Sequence, residues 1–307
     1  VNTGVLRLND DSFIAGDVTT GSEAELFLRT GTHTLLDGAN FTGNTRIEST
    51  EVIADGANQG EIVFENVILG TGGVLGGDGA FRVTGFMDWS NGDVGRTGDL
   101  GTLTIDTGAS LDLNGLGTKD VRGDMLIDVL GTTTWTNGTV AFFDNADFTQ
   151  RAGSTFTANL TTARTFGGGG ADTRTFTLAS GANLFNTGTQ TATFNIVSQL
   201  GGNVSSSGGE LHFSRGGAHT GNFDAGMTGT IRFSDSTGVG HSLSGTLGSM
   251  GGTFAFSGAG ATTIGAGATY NVGNTLIDSG QVDFQNAATT NVLGLGEGVL
   301  GGGGGGL

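Results

Sequence analysis

The sequence predicts an all-β protein, and three observations lead to this prediction. Glycine accounts for 62 of the 307 residues, while proline and cysteine are both absent. Glycine interrupts helices, whereas the frequent threonine, phenylalanine and valine favour strands. Short motifs also recur at intervals of about 20–23 residues, an interval typical of repeat proteins. A unit of this length suits one coil of a parallel β-solenoid, in which each coil buries its apolar face by stacking on its neighbours.

The composition excludes several other classes of protein. Collagen needs glycine at every third position together with abundant proline, and neither is present. The content of large apolar residues is sufficient for a buried core, which argues against disorder. The formal net charge is −17, so no basic face is available for nucleic acid or for an anionic membrane surface. A spanning helix needs about 20 consecutive apolar residues. No apolar run approaches that length, so membrane insertion is not expected.

The first repeat contains the only two tryptophans of the chain. Residues 87–94 and 133–140 both follow the pattern Trp-[Ser/Thr]-Asn-Gly-x-Val, and Trp89 and Trp135 lie about two repeat lengths apart. Asn-Gly pairs adopt positive φ at low cost, so they suit the bends between the short strands of a coil. They also favour hairpin turns, so an antiparallel meander remains an alternative fold.

The second repeat follows the pattern Gly-x-apolar-x-Phe and predicts the inward side chains. Because side chains alternate across a strand, the two apolar positions of each motif should point into the core. Copies lie at residues 209–214, 229–234, 252–257 and 280–285. The motif therefore predicts two core ladders, one of Leu211, Ile231, Phe254 and Val282, and one of Phe213, Phe233, Phe256 and Phe284.

The repeat length predicts a single domain of roughly 14 coils over residues 1–300. Residues 301–307 are then expected to form a glycine-rich tail or linker. The absence of proline agrees with continuous ladders, in which nearly every interior N–H donates to the next coil. The absence of cysteine agrees with export. The sequence shows no leader, so a signal peptide would lie upstream of Val1.

The phenylalanine motifs resemble a known group of bacterial proteins. Residues 209–214, 229–234 and 252–258 resemble the Gly-x-Leu-x-Phe-Ser-Gly core of autotransporter passenger repeats, and residues 101–113 are similar to repeats of large haemagglutinin-like surface proteins. The resemblance covers residues 80–290 loosely. It implies a right-handed parallel β-helix outside a bacterial cell. The sequence shows no C-terminal barrel, so the chain is expected to be a passenger, a fragment or a separate surface subunit.

One short motif is a candidate for adhesion. Arg122-Gly123-Asp124 is an integrin-type tripeptide, although a polar bend that arose by chance is the simpler explanation. The flanking apolar residues Val121 and Met125 could place the tripeptide at a corner of a coil, which is the minimum requirement for access by a receptor.

A second motif is a candidate for binding calcium. Gly168, Gly170 and Asp172 match part of a Gly-Gly-x-Gly-x-Asp calcium repeat. Arg174, however, occupies a position that should be apolar, and the tandem copies that share calcium ligands are missing. A flexible loop is therefore the better interpretation. We expect no cofactor, with Ca²⁺ as the single candidate.

The remaining polar residues show no catalytic pattern. The acidic groups Asp10-Asp11, Asp120/Asp124/Asp128 and Asp144/Asp147 lie near no convincing constellation of His, Lys or Arg. The four histidines lack metal-binding spacing and are expected to lie on the surface, with His212 facing outward one coil from Arg232.

These observations favour a non-enzymatic structural or adhesive element that lies outside the cell. Its expected partners are another copy, a longer chain joined end to end, or a host-surface or polysaccharide ligand. The alternative is a carbohydrate-active β-helix enzyme, a polysaccharide lyase or hydrolase, with carboxylates on neighbouring coils.

Overall fold

The computed structural model confirms the predicted all-β parallel solenoid, which has about 14 turns. It describes residues 3–54, 56, 60–168 and 174–302. No helix occurs within these ranges. The register pairs run parallel between successive coils, for example Leu103 with Ile127 and Leu211 with Ile231, so the antiparallel meander is wrong.

The structure divides into two compact units, Val1–Thr149 and Gln150–Leu307. The strands of the first unit are β1 (Thr3–Leu8), β2 (Ser12–Ile14), β3 (Asp17–Thr19), β4 (Glu23–Arg29), β5 (Thr32–Leu35), β6 (Asn40–Glu48), β7 (Glu51–Ala54), β8 (Ile62–Leu69), β9 (Val74–Gly77), β10 (Ala80–Trp89), β11 (Gly92–Val94), β12 (Thr102–Ile105), β13 (Ser110–Leu113), β14 (Lys119–Val121), β15 (Leu126–Val129), β16 (Thr132–Trp135), β17 (Val140–Phe142) and β18 (Asp147–Gln150), whose last residue belongs to the second unit.

The strands of the second unit are equally short. They are β19 (Thr155–Ala158), β20 (Arg164–Gly167), β21 (Thr175–Leu178), β22 (Asn183–Asn186), β23 (Thr191–Asn195), β24 (Val197–Leu200), β25 (Asn203–Ser206), β26 (Glu210–Phe213), β27 (Gly217–His219), β28 (Asn222–Asp224), β29 (Thr230–Asp235), β30 (His241–Leu243), β31 (Thr246–Gly248), β32 (Thr253–Gly258), β33 (Ala261–Ile264), β34 (Thr269–Ile277), β35 (Gln281–Phe284), β36 (Ala288–Leu295) and β37 (Val299–Gly302). Gly301 and Gly302 therefore belong to the last strand rather than to the predicted tail.

Alternation along each strand places the core inside the coils. In β26, for instance, Leu211 and Phe213 are fully buried, whereas the residues between and before them are partly exposed. The aromatic rings then stack from coil to coil. The ring centroids of Phe194 and Phe213 are 5.3 Å apart, and those of Phe213 and Phe233 are 5.6 Å apart. Such contacts between neighbouring coils supply the burial that one coil cannot achieve alone.

The register corrects one part of the predicted ladders. Phe254 and Phe256 pair with Thr275 and Ile277 in the next coil. Val282 and Phe284 are therefore not the next members of the two ladders. Val282 and Phe284 are also buried, but they pair with Thr262 and Ile264 on another face. The physical reason is that every inward-facing strand has the same alternation, so the motif marks the inward direction and does not specify a face.

The tryptophan repeat forms a bend that is closed by side-chain hydrogen bonds. The indole Nε1–H of Trp89 donates to the carbonyl of Gly92 at 3.1 Å, and Trp135 makes the same bond to Gly138 at 3.0 Å. Both glycines have positive φ, and each N–H donates to the Oδ1 of the asparagine before it. A Cβ at Gly138 would lie 2.5 Å from the carbonyl oxygen of Gly117, so the bend leaves no space for a side chain there.

Lys119, the single lysine, is fully buried beneath the second of these bends. Its Nζ lies 3.4 Å from the carbonyl oxygens of both Gly117 and Asn137. Carbonyl groups at a bend have no partner in the strand ladder, so an ammonium donor beneath them satisfies groups that burial would otherwise penalise. The side chain of Lys119 therefore has a structural role beneath this bend.

Candidate functional site

Most of the described ion pairs link carboxylates and arginines of different coils. Arg82 in β10 contacts Glu61 at 3.4 Å and Asp106 at 2.5 Å, which belong to the preceding and the following coil. Arg232 in β29 contacts Glu210 at 3.3 Å and Asp278 at 2.8 Å. Three further arginines also make paired contacts: Arg46 with Glu25 and Glu48, Arg96 with Glu51 and Asp99, and Arg122 with Asp93 and Asp120.

These ion pairs are partly exposed, which limits the stability that each one adds. The arginine side chains keep about a fifth to two-fifths of their surface accessible. A partly exposed pair contributes about 0.2–1 kcal/mol and is weakened by salt. Each of these guanidinium groups contacts at least one carboxylate of another coil, and this shared feature matters more than the energy of any one pair.

A pair of aspartates on neighbouring coils is the best candidate for acid–base chemistry. Asp88 in β10 and Asp112 in β13 are register partners on the outer surface of the first unit. Burial, followed by the charge of Asp88, raises the pKa of Asp112. The Oδ1 atom of Asp88 is buried and has no hydrogen-bond partner within the described part of the chain. A carboxyl with a raised pKa beside a second carboxylate can act as a general acid.

A second acidic pair lies nearby in sequence but is joined to an arginine. Asp93 in β11 pairs with Asp120 in β14. Burial and the charge of Asp120 raise the pKa of Asp93, while Arg122 acts in the opposite direction. Because Arg122 forms ion pairs with both carboxylates, this group is typical of a structural network. Neither aspartate pair was identified from the sequence, since the two members of each pair lie on different coils and only the register brings them together.

The Arg122-Gly123-Asp124 tripeptide lies at a bend, but its arginine is engaged. Besides its two ion pairs, the Arg122 guanidinium lies 4.5 Å from the ring centroid of Phe143. Gly123 is buried with a φ of 74°, and its N–H donates to the Asp144 carboxylate at 3.0 Å. Asp124 is exposed and accepts a hydrogen bond from an asparagine at 2.8 Å. The carboxylate end of the tripeptide is therefore more open to a receptor than the arginine, whose side chain keeps 34% of its surface accessible.

The calcium candidate can be placed only in part. Gly168 is described, and its carbonyl oxygen accepts a hydrogen bond from Arg215 at 3.0 Å. Gly170 and Asp172 lie outside the described residues. Among the residues that the structure describes, no three or more His, Cys, Asp or Glu side chains are grouped in a way that could hold a metal ion.

Three of the four histidines are buried, which corrects the expected surface location. His33 and His219 are fully buried and His241 is 3% exposed, because each occupies an inward position of its strand. His212 faces outward as predicted, with its Nε2 2.6 Å from the hydroxyl of Ser234. For His219 and His241 the sequence did not reveal this burial, because the glycines before them give no clear alternation from which to assign direction.

The two buried histidines of the second unit form a hydrogen-bonded pair. The Nε2–H of His241 donates to the carbonyl oxygen of Ser234 at 2.9 Å, so its Nδ1 accepts from the Nε2–H of His219, also at 2.9 Å. The Nδ1 of His219 is buried without a partner among the described groups. Burial lowers the pKa of both imidazoles, and for His219 the neighbouring His241 adds to this effect. Both rings are therefore neutral near pH 7.

Comparison with protein families, curated proteins and solved structures finds no match to this chain. The resemblance to autotransporter passengers and haemagglutinin-like proteins therefore stays a prediction. No helix in the described ranges is long and apolar enough to cross a membrane.

Proposed function

We propose that the chain is a structural and adhesive element of a bacterial surface protein or filament, located outside the cell. The observation that carries this proposal is that most of the described ion pairs join side chains of different coils. Arginines such as Arg82 and Arg232 join carboxylates of different coils rather than converging on a pocket. Ion pairs in this direction resist the separation of coils. The resemblance of the phenylalanine motifs to autotransporter passenger repeats supports the extracellular location.

The outermost strands of the two units support association through further coils. In the first unit β1 pairs with β4, and among the described residues no strand covers its other edge. Val5 and Leu6 of this strand are 50% and 40% exposed. In the second unit the described strands cover β36 and β37 on one side, and Leu295 and Val299 are 55% and 59% exposed. Uncovered strands with apolar side chains recruit other strands. We propose that a second copy, or more of a longer chain, supplies those strands.

Assembly through these strands can be measured directly. We expect chains of residues 1–307 to form oligomers that lengthen with concentration in sedimentation velocity and in electron micrographs. Charges on the uncovered edge, as in Leu295→Lys combined with Val299→Lys, should abolish this growth. Met250→Lys is the matched control, because Met250 is 87% exposed but lies outside the uncovered strands. The proposal would be contradicted if the chain stayed monomeric at every concentration, or if the variant with both lysines formed oligomers as long as those of the unchanged protein.

The alternative function is a carbohydrate-active enzyme, and the Asp88–Asp112 pair is the observation that favours it. Two carboxyl groups on neighbouring coils, one of them with a raised pKa, match the requirement for glycosidic bond cleavage. Release of reducing ends from a polysaccharide panel, lost on Asp112→Asn, would favour the enzyme over the structural element.

A further inference from the structure

One outer face of the second unit carries a row of small uncharged side chains. Strands β21, β24, β27, β30 and β33 stack in register on this face. Their outward residues, one from each successive coil, are Thr177, Gln199, Ala218, Ser242 and Thr263. Two open cavities of about 350 and 380 Å³ lie on the row and share Ala218 as a lining residue. The surface that the two cavities line on either side of Ala218 is called the groove.

The backbone beside Ala218 requires glycine at two positions. A Cβ at Gly217 would overlap the carbonyl oxygen of Ser198 in the preceding coil. Gly240 has a φ of 79°, and a Cβ there would overlap the carbonyl oxygen of Ala261. Neither position can hold a side chain without displacing the neighbouring coil. Both glycines line the larger cavity, so neither places a side chain in it.

One wall of the groove is an ordered loop between β29 and β30. The buried carboxylate of Asp235 accepts hydrogen bonds from the N–H of Thr237 at 2.7 Å and from the N–H of Gly240 at 2.5 Å. These bonds fix the loop that carries Val239, which is 58% exposed and lines the larger cavity. The wall is thus held in place before any ligand arrives, which lowers the entropy cost of binding.

The chemistry of the groove selects an uncharged partner rich in hydroxyl groups. None of the residues that line the two cavities is Asp, Glu, Lys or Arg, and His241 at the edge is neutral. Acidic polymers would be repelled by a chain with a net charge of −17. Ser242, Thr263 and the Gln199 amide can exchange hydrogen bonds with hydroxyl groups, while alanine methyls and Val239 offer apolar contact to the C–H faces of sugar rings.

We propose that this groove binds an extended neutral glycan that lies across successive coils. The coils repeat at about 4.8 Å, a spacing of the same size as a sugar ring, so successive rings of an extended chain can meet the outward residues of successive coils. The proposal rests on the adhesive part of the proposed function and is independent of assembly through the uncovered strands. A chain that binds no glycan could still assemble through the uncovered strands. A failure of the glycan proposal can therefore be told apart from a failure of the assembly proposal.

Affinity electrophoresis tests the proposal with neutral polymers (glucans, mannans, galactans and soluble chitin oligosaccharides) and acidic ones (alginate and polygalacturonate). We expect at least one neutral polymer to retard the intact chain. Ala218→Trp fills the groove and should weaken binding at least tenfold, whereas Thr246→Trp, on another outward face, should bind as the unchanged protein does. Circular dichroism confirms that both variants are folded. Retardation by no neutral polymer, retardation by acidic polymers alone, or full binding by Ala218→Trp would overturn the proposal.

Discussion

Lowering the pH from 6.5 to 5.0 is expected to destabilise the second unit through His219 and His241. Their pKa values are lowered from 6.5 in the folded chain because burial disfavours the imidazolium form. In the unfolded chain both rings take up protons as the pH falls through 6.5, whereas in the folded chain they take them up only at a lower pH because their pKa values are lowered. The stability that they contribute is therefore present above pH 6.5 and is lost as the pH falls from there towards the folded-state pKa values. The loss approaches about 1.4 kcal/mol per pH unit and per histidine.

Other titrating groups near the pair act in a different pH range or remain unchanged in the comparison. Asp235 has a lowered pKa, because hydrogen bonds from Thr237 and Gly240 outweigh its burial, so its contribution is lost only below about pH 4. Burial also lowers the pKa of His212, on the outer face, and of His33, in the first unit, and both residues are kept in the comparison. The measurement is urea unfolding by circular dichroism from pH 7.5 to 5.0. His219→Phe combined with His241→Phe should reduce the dependence of the unfolding free energy on pH, and an added exposed histidine, Thr246→His, should leave it unchanged. If the unfolding free energy of the double variant depended on pH as strongly as that of the unchanged protein, the pH dependence would not come from His219 and His241.

Phe194→Ala is expected to lower the free energy of unfolding by about 3–5 kcal/mol, since it removes a large fully buried ring. The Phe194 ring lies 4.8 Å from that of Phe176, 5.3 Å from Phe213 and 5.4 Å from Phe166, measured between centroids. These rings come from four different strands, so the cavity would be lined on several sides and could not collapse easily.

Phe185→Ala provides the matched control for this substitution. Phe185 lies in β22 at an outward position and is only partly buried. Replacing Phe185 by alanine should therefore lower the free energy of unfolding by less than about 1.5 kcal/mol. Chemical denaturation of both variants compares them directly. Equal losses would show that the inward and outward directions assigned to these strands are incorrect.

The sequence predicted the fold because the solenoid repeats the same physical requirement in every coil. The alternation Leu211-His212-Phe213 predicted which side chains point into the core. The Asn-Gly pairs predicted the bends at Gly92 and Gly138. The register between distant coils could not be obtained in this way. Leu211, Ile231 and Phe254 are successive register partners, yet they are unevenly spaced along the chain. Because coil length varies, the chain position of a motif does not determine its face.

The candidate sites were less predictable for the same reason. Asp88 and Asp112 are adjacent only because their strands pair, and the groove beside Ala218 depends on residues from five coils that have no motif in common. The burial of His219 depends on the direction of a three-residue strand that begins with glycine and alanine. Short polar motifs such as Arg122-Gly123-Asp124 were visible in the sequence, but the ion pairs that engage the arginine were not.

The central claim is that the chain resists extension because its coils are bound to one another. Single-molecule pulling from the two ends of the chain tests this claim most directly. Each coil of about 20–23 residues that detaches releases about 65–85 Å of extended chain. We predict force peaks separated by such lengths or by multiples of them, with lower peak forces at high salt because the ion pairs between coils are screened. Extension without force peaks would contradict the mechanical role proposed for this protein.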